Sequence, residues 1–314
     1  MTIIDMNQHI GIHGQFMKDK VNIMILGCTG MLGSEVLKVF SESNKFNICA
    51  STRIQQNKRY FKIKNLQKIN FFTFDVVKDN VKKLKTLIKK NTIIINCIGI
   101  IKPNIDENEP KSTFNAIYIN SIFPNNLNNE FSKNKIYQIA TDCVFDGKNK
   151  LYKEDAVHNA QDVYGKSKSL GEITTKNFFN IRTSIIGKEI KGYKSLYDWF
   201  LNQEKNSKIN GFTNHLWNGL TTRAFGHILI SIIENKIKLP NKIHICPKNL
   251  ITKYKMLKLF NDKNPSKKII IKPISARIKI NRTISTKYKK IADLIWKKSK
   301  YKKTPTINEL IKEI

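Results

Sequence analysis

Tyr164 and Lys168 stand four residues apart in Y-G-K-S-K, a spacing that puts a phenol and an ammonium on one face of a helix. The chemistry that uses such a pair is proton exchange with a carbonyl or an alcohol. A neighbouring ammonium favours phenolate and lowers the tyrosine pKa from its reference of ~10 toward working pH. Lysine is abundant in this chain, Lys166 included, so order and context carry the reading rather than the pair alone. The pair follows a loop with Asp155, Asn159 and Asp162, and lies between two apolar runs, Lys135 to Phe145 and Phe179 to Ile186. Thr141, near the end of the first run, offers a hydroxyl to the same oxygen.

Carbonyl chemistry of this kind needs a hydride carrier, and Val21 to Gly33, V-N-I-M-I-L-G-C-T-G-M-L-G, has the form of a dinucleotide site. Val21 to Leu26 reads as a strand buried on both faces. Gly27, Gly30 and Gly33 follow at a spacing of three. One glycine makes the tight turn, one admits a pyrophosphate and one packs helix on strand, as in a Rossmann turn. The spacing is G-x-x-G-x-x-G rather than G-x-G-x-x-G. A pyrophosphate would sit over Thr29 and Gly30, on the N–H groups of Met31 and Leu32 at the positive end of the helix dipole.

The elements that must position these groups alternate. A helix runs from Met31 to Phe40, and a second strand from Phe46 to Ala50 ends in Ser51-Thr52-Arg53. A carboxylate at that strand end holds the ribose 2′-hydroxyl of NAD, whereas an arginine accommodates a 2′-phosphate. Arg53, with Ser51 and Thr52, therefore favours NADP(H) over NAD(H). Ile69 to Asp75 is a third strand, with Asp75 and Val76 at its carboxyl end placed to meet an adenine. Val81, Leu84, Leu87 and Ile88 form the stripe of a lysine-rich helix. Thr92 to Gly99 is a fourth strand, whose Cys97, Ile98 and Gly99 would lie beside the nicotinamide ribose. A helix around Asn115 to Phe131 leads to the fifth strand. This alternation predicts an α/β fold with a doubly wound parallel sheet, and its ligands bind beyond the carboxyl ends of the strands.

The glycine turn, N-C-I-G at 96 to 99, A-T-D-C-V-F-D-G at 140 to 147, Y-G-K-S-K with S-L-G-E at 169 to 172, and I-R-T-S-I-I-G at 181 to 187 together resemble the extended short-chain dehydrogenase/reductases. Within them the chain is most similar to the dTDP-4-dehydrorhamnose reductase group of nucleotide-sugar reductases. The resemblance makes Thr141, Tyr164 and Lys168 the catalytic triad, with Tyr164 and Lys168 also touching the cofactor. It implies NADPH-dependent reduction of a nucleotide-linked 4-keto-6-deoxy sugar for surface polysaccharide synthesis. Related dehydratases carry an Asp-Glu pair after the threonine. Here Asp142 is followed by Cys143, which disfavours dehydration and leaves Cys143 facing the substrate. The stretch 211 to 222 matches the region where the family closes over the sugar nucleotide, which brings in Trp217, Asn218 and Thr222. Arg282 joins them as a phosphate contact. A nucleotide-sugar epimerase and a non-catalytic NADP-binding protein are the alternative readings.

Residues 21–187 are thus expected to form the dinucleotide-binding domain, 223–246 to pack back on it, and 188–314 mainly to bind substrate. Residues 1–20, which lack a basic segment followed by an apolar one, read as a poorly ordered extension rather than a secretory signal. The formal net charge of +32 is spread over nearly every segment. That distribution argues against a nucleic-acid partner, and it would draw in phosphorylated ligands. No apolar run reaches the ~18 residues that span a bilayer. The odd number of cysteines, five without a C-x-x-C pair, disfavours disulfide or metal frameworks and suits the cytoplasm. A homodimer stays open.

Overall fold

A computed structural model describes residues 20–54, 61 and 66–314; the proposed extension lies outside the described residues except for Lys20. The chain runs β1 (Val21–Leu26), α1 (Met31–Ser41), β2 (Phe46–Thr52), β3 (Asn70–Thr73), β4 (Ile93–Asn96), α2 (Pro110–Ile117), α3 (Phe123–Glu130), β5 (Ile136–Ala140), α4 (Val163–Leu170) and β6 (Phe178–Arg182). It continues through β7 (Ile185–Ile186), α5 (Leu196–Leu201), β8 (Lys208–Phe212), β9 (His215–Trp217), β10 (Leu220–Thr221), α6 (Thr222–Glu234), β11 (Lys242–His244) and β12 (Ile251–Thr252). The last elements are α7 (Lys253–Lys263), β13 (Ile270–Ile274), β14 (Ile280–Asn281), α8 (Lys289–Lys298) and α9 (Ile307–Ile311).

Seven strands form a parallel sheet in the order β11-β6-β5-β4-β1-β2-β3. The order reverses at β1, between β4 and β2, and the crevice at such a point is where this architecture takes ligands. β1 is apolar on both faces because both are covered. Ile23 and Ile25 enter a core with Leu37 and Phe40 of α1, Ile228 and Ile232 of α6 and Trp296 of α8. Met24 and Leu26 face the other way, onto Phe123 and Leu127 of α3. β11 pairs with β6 and α6 packs against α1, so the segment 223–246 completes the sheet and one of its layers. A separate core of Tyr197, Phe200, Trp217, Met256 and Phe260 holds α5, β9 and α7 together.

Four local readings of the sequence change. The lysine-rich segment is a 3-10 helix, Val81–Thr86, rather than an α-helix. Its apolar residues Val81, Leu84 and Leu87 recur every third position, which suits three residues per turn. The helix before the fifth strand begins at Pro110 and is interrupted by a π turn, Tyr118–Ile122. Pro124 supplies no N–H to the turn before it, so the helix widens there. β5 stops at Ala140, and Asp142–Val144 form a short 3-10 turn capped by the Thr141 hydroxyl, which accepts from Cys143 N at 3.1 Å. The run after α4 splits at Thr183-Ser184, where β7 leaves the main sheet to pair with β10.

Candidate active site

The carboxyl ends of β1, β4, β5 and β6 open onto one cleft of about 660 Å³. Thr29, Gly30, Met31 and Leu32 line one wall, with Cys97, Ile98 and Gly99 beside them. Gly27 holds a positive φ of 79°, and a Cβ on Gly33 would stand 2.2 Å from the Gly27 carbonyl oxygen. The turn is therefore glycine at these points for conformational and steric reasons. Gly30 differs, because a Cβ there would meet only Gly27 O, at 3.5 Å. Gly30 caps α1 without a side-chain bond, and the N–H groups of Met31 and Leu32 have no acceptor among the described residues. Bare donors at a helix start beside an open cleft suit an anionic diphosphate.

Ser51 serves the turn from behind. Its hydroxyl accepts from Gly27 N at 2.8 Å and its carbonyl accepts from Cys28 N at 3.2 Å. Thr52 is buried with its hydroxyl unpartnered, an uncompensated polar group at the strand end where a nucleotide ribose belongs. Arg53 is exposed beside it. Asp75 accepts from Val77 N at 3.0 Å within its own turn, and Val76 is buried. These residues flank the cleft without lining it.

The opposite wall carries the threonine, tyrosine and lysine that the sequence singles out. α4 is capped by Asp162, whose Oδ1 accepts from Gly165 N at 2.7 Å. A Cβ on Gly165 would stand 2.4 Å from the Cys143 carbonyl oxygen, so glycine lets α4 press against the turn that holds Thr141. Thr141, Tyr164 and Lys168 all line the cleft. Lys168 donates from Nζ to the Ile139 carbonyl at 3.3 Å. Burial lowers its pKa to about 8, against the charge of Glu172, which raises it.

Tyr164 departs from expectation. Burial pushes its pKa well above the usual phenol value and Cys143 adds to the rise, while the Thr141 hydroxyl, bonded to it, lowers it. Desolvation outweighs any help from a nearby cation, so the phenol is held protonated.

α4 is fixed from two sides by groups the sequence did not reveal. Asn120, in the π turn, donates from Nδ2 to Ile100 O at 3.1 Å and to Ser167 Oγ at 3.1 Å, and accepts from Ile100 N at 3.0 Å. On the far side Arg182 and Glu172 form a buried ion pair. His158 and His244 present Nε2 to Arg182 at 3.0 and 3.2 Å. Burial lowers both histidines to about 4.

Cys143, Trp217, Glu189, Lys194 and Lys253 also line the cleft. Glu189 accepts from Lys194 N and Ser195 N, at 3.0 and 2.7 Å, and Lys194 reaches across to Asn104 Oδ1 at 2.6 Å. Trp217 is 5% exposed, so it serves the core and the cleft wall together. Three expected substrate residues lie outside the lining. Asn218 uses its amide on the Ile284 backbone, donating at 2.7 Å and accepting at 3.1 Å. Thr222 is buried at the start of α6 against Gly187. Arg282 donates from Nε to Phe145 O at 2.7 Å, while its charge lowers the pKa of Asp142 against burial, which raises it. Lys253 and the 189–195 loop were missed because neither carries a motif; their place follows from the pairing of β12 with β9 and from the bonds Glu189 makes.

A switch-point cleft with a glycine turn on one wall and Thr, Tyr and Lys on the other, at the carboxyl ends of a seven-stranded parallel sheet, defines a Rossmann-like α/β protein. More narrowly, residues 21–307 match the RmlD substrate binding domain, and the chain belongs to that family. The fold is similar to a dTDP-4-dehydrorhamnose reductase from Clostridium acetobutylicum, with a TM-score of 0.67 and 20% identity over 93% of this chain and 98% of that one. It is similar also to dTDP-4-dehydrorhamnose reductase from Bacillus anthracis in complex with NADP, with a TM-score of 0.69 and 18% identity over 94% and 98% of the two chains. In sequence it is 31% identical over 153 residues to methionine adenosyltransferase 2 subunit beta of Xenopus tropicalis, covering 48% of this chain. The chain spans 41% of that relative's length.

Proposed function

We propose that the protein reduces a nucleotide-activated 4-keto-6-deoxy sugar with NADPH, in the synthesis of a surface polysaccharide. The observation that carries this reading is that Thr141, Tyr164 and Lys168 share a cleft with the bare N–H groups of Met31 and Leu32. Gly27, Thr29, Gly30, Met31 and Leu32 would hold the cofactor diphosphate, Cys97, Ile98 and Gly99 its nicotinamide ribose, and Thr52 and Arg53 the far ribose. A bound nicotinamide supplies hydride.

The chain does the rest. Thr141 turns its hydroxyl proton from Asp142 Oδ1, 3.3 Å away, to the substrate carbonyl oxygen, and the bond strengthens as negative charge grows there. Tyr164, kept neutral by burial, transfers its proton to that oxygen. Lys168 holds ribose hydroxyls, and its ammonium stabilises the phenolate that forms. Cys143 in the second position after Thr141 leaves Asp142 without the second carboxylate that elimination of water uses. A cytoplasmic setting accords with the free cysteines.

A second reading is a non-catalytic NADP-binding protein that acts as a subunit; the likeness over 48% of this chain to a protein named as a subunit, methionine adenosyltransferase 2 subunit beta, supports the subunit part of it. Mixing the protein with NADPH and dTDP-4-keto-6-deoxyglucose separates the two: the enzyme consumes NADPH, whereas a non-catalytic subunit binds it without turnover.

A further inference from the structure

Lys253 is the first residue of α7, where the helix dipole disfavours a cation, and no acidic residue occupies the first turn. The pairing of Ile251 with Trp217 fixes it beside the indole, with Nζ 5.8 Å from the ring centroid. It lines the cleft with Trp217, Asp142 and Cys143. Among the described residues it forms no ion pair within 4.0 Å, and its side chain makes no hydrogen bond. Asp142 and Cys143 act on it only at longer range. Asp142 Oδ1 is already engaged by the Thr141 hydroxyl at 3.3 Å, and the Arg282 charge also acts on this carboxylate.

Such a placement costs stability. A half-buried ammonium sits at the wrong end of a helix with only an indole face beside it and no hydrogen-bonded or ion-pair partner among the described residues, and packing alone would favour an apolar residue. The cost makes sense if the partner is supplied from solution.

The geometry points to Lys253 as a specificity-determining residue that binds an anionic oxygen of the substrate. The anion is the diphosphate of the sugar nucleotide or, were the sugar a uronic rather than a 6-deoxy one, its carboxylate. This assignment rests on the reading of the cleft as a sugar-nucleotide site and adds to it a charge requirement at the Trp217 end. The cation does not move a proton, so its loss appears in substrate affinity and KM before kcat.

The test compares wild type with Lys253→Met and Lys253→Arg by calorimetry. The probes are the tightest binder among dTDP, UDP, GDP and CDP, its parent nucleoside, and the pair glucuronic acid 1-phosphate and glucose 1-phosphate. A charge-assisted bond is worth about ten- to a hundredfold in affinity. If the diphosphate is the partner, Lys253→Met weakens nucleoside diphosphate binding by that factor, Lys253→Arg largely restores it, and nucleoside binding is unchanged. If a carboxylate is the partner, the Met variant keeps its diphosphate affinity and loses a preference for glucuronic acid 1-phosphate, a result that keeps the role of Lys253 and overturns the 6-deoxy substrate. In both cases melting of the Met variant holds or rises. A Met variant that binds every probe as wild type does, or that simply melts lower with no selective loss, overturns the assignment while leaving the reductase reading intact. A wild-type protein that binds neither NADPH nor any of the diphosphates overturns both.

Discussion

Gly33 approaches Gly27 so closely that a Cβ on Gly33 would stand 2.2 Å from the Gly27 carbonyl oxygen, whereas a Cβ on Gly30 would meet the same atom at 3.5 Å. The two glycines therefore serve different ends. Gly33→Ala forces the helix off the strand and should cost about 1–3 kcal/mol of stability. Gly30→Ala should melt within a few degrees of wild type yet bind NADPH more weakly, because it adds a methyl to the cleft wall where the cofactor diphosphate is proposed to sit. Thermal melting and NADPH titration of the two variants check the contrast.

Tyr164→Phe removes the proton donor and little else. Turnover should fall by about 10²–10⁴-fold while NADPH affinity stays within a factor of a few. Single-turnover kinetics with a fluorescence binding assay read both. Unchanged turnover removes the proposed mechanism.

Three buried or half-buried histidines set an acid limit. Burial lowers His158 and His244 to about 4 and His227 to about 3, below the ~6.5 of an unfolded chain. The unfolded state thus binds more protons between these values, so stability is full above pH ~6.5 and is lost as the pH falls toward 4. Each histidine contributes a slope of about 1.4 kcal/mol per pH unit in that window. Urea midpoints at pH 7, 6 and 5 should fall in order, and His158→Gln should flatten the dependence.

Glu172 and Arg182 are each 2% exposed at the side chain, so removing one strands the other. Glu172→Gln or Arg182→Met alone should cost about 3–5 kcal/mol, and the double replacement far less than the sum. A chemical-denaturation cycle measures the coupling.

Arg53 stands exposed at the end of β2 with no carboxylate in the adjoining Ser51 and Thr52. NADPH should be used more efficiently than NADH, and Arg53→Ala should erase the preference. The ratio of kcat/KM for the two cofactors, in both proteins, decides it.

Much of this arrangement is legible along the chain, because it rests on local signals. The apolar run Val21 to Leu26 and its glycines mark the first strand and turn, since only a strand covered on both faces reads that way. The alternation from β1 to β6 follows from the same burial. Thr141, Tyr164 and Lys168 meet in one cleft because each lies at or after the carboxyl end of β5. What sequence patterns hide is settled by contacts between distant segments. Arg182 meets His244 across 62 residues, and Lys253 meets Trp217 through the pairing of β12 with β9. Asn218 and Thr222 sit in a substrate-like stretch, yet one is spent on the Ile284 backbone and the other on the start of α6. The rise of the Tyr164 pKa was equally invisible, since spacing reveals the neighbouring lysine but not how dry the cleft is.

The most direct measurement is the stoichiometry of NADPH oxidation, followed at the nicotinamide absorbance band, when purified protein meets dTDP-4-keto-6-deoxyglucose and related nucleotide keto sugars. The account predicts one NADPH consumed per sugar reduced, and loss of that consumption in Tyr164→Phe. A protein that binds both NADPH and the keto sugar in the cleft, yet leaves every one of them unreduced, would contradict it.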